Sequence, residues 1–294
     1  MTTAKVLRKT LRERDILVPY VVGGLQALMA QSSGCSAVYM TGFGAASALG
    51  LPDVGLVTMT QMCEQLRAIT ATSELPVIVD ADTGYGNHIN VAHTVREYER
   101  AGAASLHLED QLWPKRCGYM AGKQVISKEE AVNKIKAAVD ARRDPDFLII
   151  ARSDALAVSG WNEVEDRIKS YITAGADMAF VDGIKNLEDL KNYNTRLAGI
   201  PLLFNNVPMI PMKKLKSLGD FKIVLNPFAM SNAWAAYENA LKQMLADDLP
   251  DANEIDQNAF NHIINILGAP KYFKLDQKYS TTGTKIVRHE EEIE

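Results

Sequence analysis

The chain has 294 residues, 47% of them hydrophobic, and a formal net charge of -4. That apolar content suffices for one large core, and strand–helix barrels commonly run to about 250 residues as a single domain. No lysine- or arginine-rich block is present, which argues against nucleic acid or an anionic membrane as a partner.

The opening segment MTTAKVLRKTLRERD is charged and no apolar run follows it. Nothing approaches the roughly 18 uninterrupted apolar residues of a membrane span, so neither a signal peptide nor a span is expected. Cys35, Cys63 and Cys117 are odd in number and widely spaced, a pattern that points to free thiols in a reducing cytoplasm.

Short apolar, β-branched runs then recur along the chain. They are ILVPYV (16–21), SAVYMTG (36–42), PVIVDADTG (76–84), ASLHLED (104–110), FLIIARSDA (147–155), MAFVDG (178–183), PLLFNNV (201–207) and FKIVLNP (221–227). Several are continuous rather than alternating, as in parallel strands covered on both faces. The gaps carry helical periodicity. Val91, Thr94, Val95, Tyr98 and Ala101 fall on one stripe, and Ser127 followed by Lys128, Glu129 and Glu130 reads as an N-cap with acids in the first turn.

Regular strand–helix alternation predicts parallel pairing with right-handed crossovers, and eight such units favour closure into a (β/α)8 TIM-type barrel. An open doubly wound sheet is the competing architecture. Residues 1–294 read as one α/β-barrel domain, with 228–294 forming a C-terminal helical extension and a polar tail that is expected to be mobile or held by a partner.

In such barrels the chemistry sits at the C-terminal ends of the strands. Asp80, Asp82, Glu109, Asp110, Asp154 and Asp182 would meet there, with Arg152 and Asn205. Carboxylates so clustered repel one another unless a cation sits among them, and an all-oxygen donor set favours magnesium, with manganese as a substitute. Asp80 and Asp82, two apart on a strand, would project the same way, with Glu109 beside them. The bland alternative is that these acids cap helices or pair with bases.

The glycines of DTGYGN permit close backbone approach to a ligand. GFGAAS lacks the third glycine of a dinucleotide fingerprint and is better read as backbone NH groups for a carboxylate or oxo group. In Pro114-Lys115-Arg116-Cys117-Gly118-Tyr119, two cations stand beside a thiol whose pKa can be lowered and whose proton can be used. Cys35 and Cys63 read as small core groups.

HLEDQLWPKRCGYMAGKQVIS, with VDADTGYGN before it and IIARSDA after it, resembles the isocitrate lyase and phosphoenolpyruvate mutase superfamily over roughly residues 10–240. Its short branches are similar: the 2-methylisocitrate lyases, the 2,3-dimethylmalate lyases and the carboxyphosphoenolpyruvate mutases. The resemblance implies a barrel whose last helix is exchanged between subunits of a dimer, paired into a homotetramer. It implies that Asp80 binds magnesium while Asp53, Asp82 and Glu109 hold its waters. Thr41, Gly42 and Phe43 would grip a 2-oxo acid, with Arg116, Gly118 and Asn205 as further substrate contacts. Tyr39, Lys115, Cys117 and Arg152 would be the catalytic groups. Arg152 would neutralise enolate charge, Cys117 would protonate the departing acid and Tyr39 would start cleavage as a base.

Three positions depart from the pattern: Tyr119 stands where the lyases have histidine, Asp182 replaces glutamate, and 205–212 lacks the usual acid and threonine–proline. The pocket end that reads the second half of the substrate is thus altered and more apolar. The expected activity is cleavage of a di- or tricarboxylic acid, a substituted malate or methylisocitrate-like compound, to pyruvate or a related 2-oxo acid. A phosphonomutase, an oxaloacetate decarboxylase or hydrolase, and an oxo-acid-binding barrel with little turnover are the alternatives.

Overall fold

The computed structural model describes residues 1–118, 120–246 and 257–280. Tyr119 and the polar tail from Thr281 onward lie outside the described residues. Eight strands, β1 (Ile16–Val21), β2 (Val38–Met40), β3 (Val77–Asp80), β4 (Ser105–Glu109), β5 (Leu148–Ser153), β6 (Met178–Val181), β7 (Leu202–Asn205) and β8 (Ile223–Asn226), close a barrel in sequence order. Every pairing is parallel, and β1 completes the ring against β8 from Ile16↔Ile223 to Pro19↔Asn226. This is the (β/α)8 architecture expected from the alternation, and closure excludes the open sheet. The continuous apolar runs have the reason anticipated: β3, β4, β5 and β6 are buried at every position, with side chains packed inside the barrel and helices outside.

The helices attach through the faces their periodicity marks. In His88–Arg100 the buried residues are Val91, Thr94, Val95 and Tyr98, and Asn87 caps its start. Ser127 Oγ accepts the Glu130 backbone NH at the start of Lys128–Ala141, with Glu129 and Glu130 in its first turn. Three buried helical tyrosines tie the outer layer to the barrel. Tyr98 donates to the Asp80 carbonyl, Tyr193 to the Leu203 carbonyl at 2.6 Å, and Tyr171 to the Asp110 carboxylate at 2.8 Å. Each buries a large ring while its hydroxyl satisfies a group near a strand end.

Seven of the eight strands are shorter than the runs that predict them, and two of these cases shape the rim. β2 stops at Met40 because Gly42–Ala48 is already a helix with Thr41 at its N-cap. β3 stops at Asp80 because the chain turns, with Asp82 in the left-handed region at φ 46°. Asp80 and Asp82 are therefore brought together by a turn and not by strand alternation, and Asp80 Oδ1 accepts the Asp82 NH at 3.0 Å.

By packing, the chain divides into Met1–Lys242, which holds the barrel, and Gln243–Glu294, which includes the helices Gln257–Ile266 and Ala269–Tyr279. No helix among the described residues is long and apolar enough to cross a membrane.

Candidate active site

Because all eight strands run one way, their last residues share one rim. Arg152, at the end of β5, is the hub. Its Nε lies 2.8 Å from Asp154 Oδ2, and its Nη2 lies 3.2 Å from Glu109 Oε2 and 3.6 Å from Asp182 Oδ2. The guanidinium also stands over the Phe180 ring, 5.1 Å from its centre. Burial works against its charge, yet Asp154, Glu109 and Asp182 outweigh burial and hold its pKa above the ordinary range. Burial pushes the Glu109 carboxyl well up, with Arg152 opposing.

A second ion-pair group involves the loop between β4 and the helix that follows it. Lys115 Nζ contacts Asp53 Oδ1 and lies 2.7 Å from Asp82 Oδ1. Burial raises the Asp82 carboxyl despite Lys115, whereas at Asp80 burial is outweighed by His107, Lys115 and Arg152, which hold that carboxyl below its ordinary value. A Cβ on Gly42 would come within 2.8 Å of Asp80 Oδ2 and 3.2 Å of Asp82 Oδ1, so only glycine lets this backbone approach both acids. The Gly42 NH is itself donated to Asp80 Oδ2 at 3.1 Å.

Beneath this layer, Tyr39 Oη lies 2.8 Å from His107 Nε2 and 3.4 Å from Asp80 Oδ2. Burial pushes the His107 imidazole down to about 4 and the Tyr39 phenol well up, so both are neutral near pH 7. A phenol in that state accepts a proton only after losing its own, which a cation brought beside Asp80 would favour.

Above the rim lies a cavity of about 420 Å³. Of the residues expected from sequence, Tyr39, Thr41, Phe43, Asp53, Asp80, Lys115, Cys117, Gly118, Arg152 and Asn205 line it. Gly42, Asp82 and Glu109 stand behind the lining. Arg116 is not brought in. It faces another cavity on the loop's outer side, where Nη1 donates to the Ala121 carbonyl at 2.8 Å. Neighbours in an extended loop point opposite ways, so Lys115 and Cys117 turn inward and Arg116 outward. Asp110 is also not on the cavity. It accepts from Ser153 Oγ, the Asp154 NH and Tyr171, bracing the β4 and β5 ends from behind.

A family model described as phosphoenolpyruvate phosphomutase matches residues 7–245. The chain belongs to that family. The 2,3-dimethylmalate lyase of Eubacterium barkeri is 39% identical over 295 residues, covering 96% of this chain and 99% of its own. The 2-methylisocitrate lyase of Aeropyrum pernix is 41% identical over 247 residues, covering 82% of this chain and 79% of its own. A crystal structure of a 2,3-dimethylmalate lyase superposes with a TM-score of 0.85 at 37% identity over 95% of each chain.

The family's lyase members make a divalent cation the natural question. Among the described residues, no three His, Cys, Asp or Glu side chains are already drawn together as a metal cage. The donors nevertheless suit a hydrated hard cation. Asp82 Oδ1 and both Glu109 oxygens are buried without a hydrogen-bond partner, although Lys115 and Arg152 stand near them. Unsatisfied buried carboxylate oxygens are what metal-bound waters would fill.

Sequence reasoning missed several groups. Tyr20 lines the cavity and donates to Asn205 Oδ1 at 2.6 Å. His107 was legible, since strand alternation puts it on the face of Glu109. The wall formed by Phe180, Val207, Met209, Pro227 and Met230 was foreshadowed only in the altered 205–212 segment. Asn206 shapes it by exchanging two 2.8 Å hydrogen bonds with the Ile210 backbone.

Proposed function

We propose that this chain is a magnesium-dependent carbon–carbon lyase that cleaves a substituted malate to pyruvate, or a close 2-oxo acid, and a second carboxylic acid. The observation that carries this is the placement of Cys117 on the same cavity as Arg152, Asp80 and Thr41, because cleavage needs charge stabilisation on one fragment and a proton for the other.

In this reading Asp80, helped by Asp53, Asp82 and Glu109 through waters, holds the magnesium. Its chemistry when bound is to polarise the oxo-acid oxygens. Thr41, Gly42 and Phe43 orient the oxo-acid half, and Asn205 and Gly118 touch the substrate. Tyr39 Oη passes its own proton to His107 Nε2, 2.8 Å away, and takes the C2 hydroxyl proton as the C2–C3 bond breaks and the hydroxyl carbon becomes the new carbonyl. The bonding pair passes to the second fragment, and Cys117 Sγ supplies the proton to its carbon. Arg152 and Lys115 offset negative charge as it develops, in a site the loop shields from water.

The second half of the substrate faces Phe180, Val207, Met209, Pro227 and Met230. The cations on the cavity lining, Lys115 and Arg152, are both engaged with carboxylates. A third carboxylate would therefore meet carbon with no counter-charge. This supports a dicarboxylic substrate with alkyl substituents over a tricarboxylic one.

Incubation with magnesium and 2,3-dimethylmalate, 2-methylisocitrate, oxaloacetate or phosphonopyruvate, followed by proton and phosphorus NMR, tests the reading. Pyruvate formed from the dialkylmalate, and lost in Cys117→Ser, is the expected result. A phosphorus shift without cleavage would support a phosphonomutase instead, a reading favoured by the description of the family model. Turnover of oxaloacetate alone would favour decarboxylation or hydrolysis. No turnover with retained oxalate binding would leave an oxo-acid-binding barrel.

We further infer assembly with copies of itself, by helix exchange into a homotetramer. Phe260, Tyr272 and Phe273 are more than half exposed, and single chains rarely leave so much aromatic surface in water. A reducing, cytoplasmic setting accords with three cysteines, odd in number and widely spaced along the chain.

A further inference from the structure

One buried cation has no part in the chemistry above. Lys123, near the end of the loop that carries Cys117, has a side chain only 3% exposed. Its Nζ lies 2.8 Å from Asp154 Oδ1 and 3.2 Å from Asp182 Oδ2. Lysine is rarely so buried unless paired. Burial disfavours the charge here, but the two carboxylates outweigh it and raise the pKa.

Both partners are shared. Asp154 also takes Arg152 Nε and Nη2, at 2.8 and 3.1 Å, and Asp182 lies 3.6 Å from Arg152 Nη2. Asp182 has a third neighbour. The Gly118 backbone is so close that a Cβ there would collide with the Asp182 carboxylate. One carboxylate thus supports the loop at two points, under the turn beside Cys117 and at Lys123 five residues on. The base of the loop is fixed as well, by the bridge between Gln111 and Val125 and by the Leu112 NH on the Gln124 carbonyl at 2.8 Å.

We propose that Lys123 is a positioning residue: by holding the Asp182 carboxylate that it shares with Arg152, it sets the Gly118 turn, and through that turn the place of Cys117 on the cavity. Without the ammonium, Asp154, Asp182 and Glu109 would share the single cation Arg152. Asp182, released from Lys123, would then close further on Arg152 and shift from its place against Gly118. Asp182 reaches Lys123 with a side chain one methylene shorter than glutamate, so the pairing ties the stem of the loop tightly to β6.

The role of Cys117 as proton donor rests on the lyase reading, but its position can be measured without turnover. The full-length, magnesium-loaded protein is treated with iodoacetamide, and alkylation of Cys117 is followed by peptide mass spectrometry with Cys35 and Cys63 as internal references. Lys123→Met should speed Cys117 alkylation severalfold relative to Cys35. It should also lower kcat by about 100-fold, the scale of a misplaced reacting group, with KM little changed. Lys123→Arg, which keeps the charge, should restore most of both. Asp182→Asn should speed alkylation too, and the double variant should go no further than the stronger single one, because both break the same link.

Unchanged alkylation and kcat in Lys123→Met would overturn the proposal, as would effects of the two variants that multiply independently. If Lys123→Met does not fold, Asp182→Asn decides alone, and unchanged alkylation there refutes the link. A parent protein inactive on every acid tested would sink the lyase reading, while the alkylation ratios still decide the role of Lys123.

Discussion

Around the ends of β3 to β6, the charged groups are linked into buried ion pairs. Arg152, Asp154, Asp182 and Lys123 form one group, and Lys115, Asp53 and Asp82 form another. On the far side, from Val207 to Met230, the cavity wall is mostly carbon and is shaped by one asparagine turn. The two halves differ in what they tolerate. In the ionic half each charge depends on its partners, and removing one strands the others in low dielectric. In the apolar half shape matters and pairing does not, so side chains can change while the barrel stays intact. On the proposed reading, the reaction type is fixed where change is costly, and the substrate's second half is read where change is cheap.

The sharpest way to break the ionic half is Arg152→Met. It leaves Glu109, Asp154 and Asp182 without their common cation, and urea unfolding should show a loss of about 3–5 kcal/mol. Turnover should fall by roughly 100- to 1000-fold, the usual loss when one group stabilising an oxyanion is removed. A variant that kept its stability would mean that Lys123 alone balances the cluster.

Next in size is the effect of the metal. Magnesium at about 100 times its dissociation constant should stabilise the folded chain by about 2.7 kcal/mol, and excess chelator should abolish that gain. Asp80→Asn should remove the magnesium response altogether, whereas Met209→Ala should leave it intact. Thermal unfolding with and without the ion, on all three proteins, separates the halves directly.

How far each half can be read from sequence follows from the same contrast. The strands were legible because apolar runs such as 147–155 must be buried on both faces. Asp80, Glu109 and Arg152 followed from where those runs end. Asp82 reaches its place through a left-handed φ of 46° that no periodicity encodes. The motif in loop 112–124 carries its chemistry but not its path. The motif therefore suggests Arg116 on the substrate, whereas Arg116 braces the loop's outer side at Ala121, and nothing in GKQV signals that Lys123 is buried. The carbon wall depends on which residues of 205–212 face inward. That orientation is set by the Asn206–Ile210 hydrogen bonds, which a sequence does not announce.

The smallest expected effect tests the apolar half. Met209 lines the cavity while its side chain is 43% exposed, so truncation removes little buried surface. Met209→Ala should leave the urea midpoint within the ±0.5 kcal/mol typical of surface changes. It should instead shift selectivity. A malate carrying one extra methylene on its second half should gain about 10-fold in kcat/KM relative to the dimethyl compound, the scale on which a hydrophobic pocket weighs a methylene. Magnesium-dependent oxalate binding, which reports on the other half, should not move. If oxalate binding weakens and selectivity stays, the substrate lies the other way round, with its oxo-acid end toward Met209. The acids of β3 and β4 would then need a different partner.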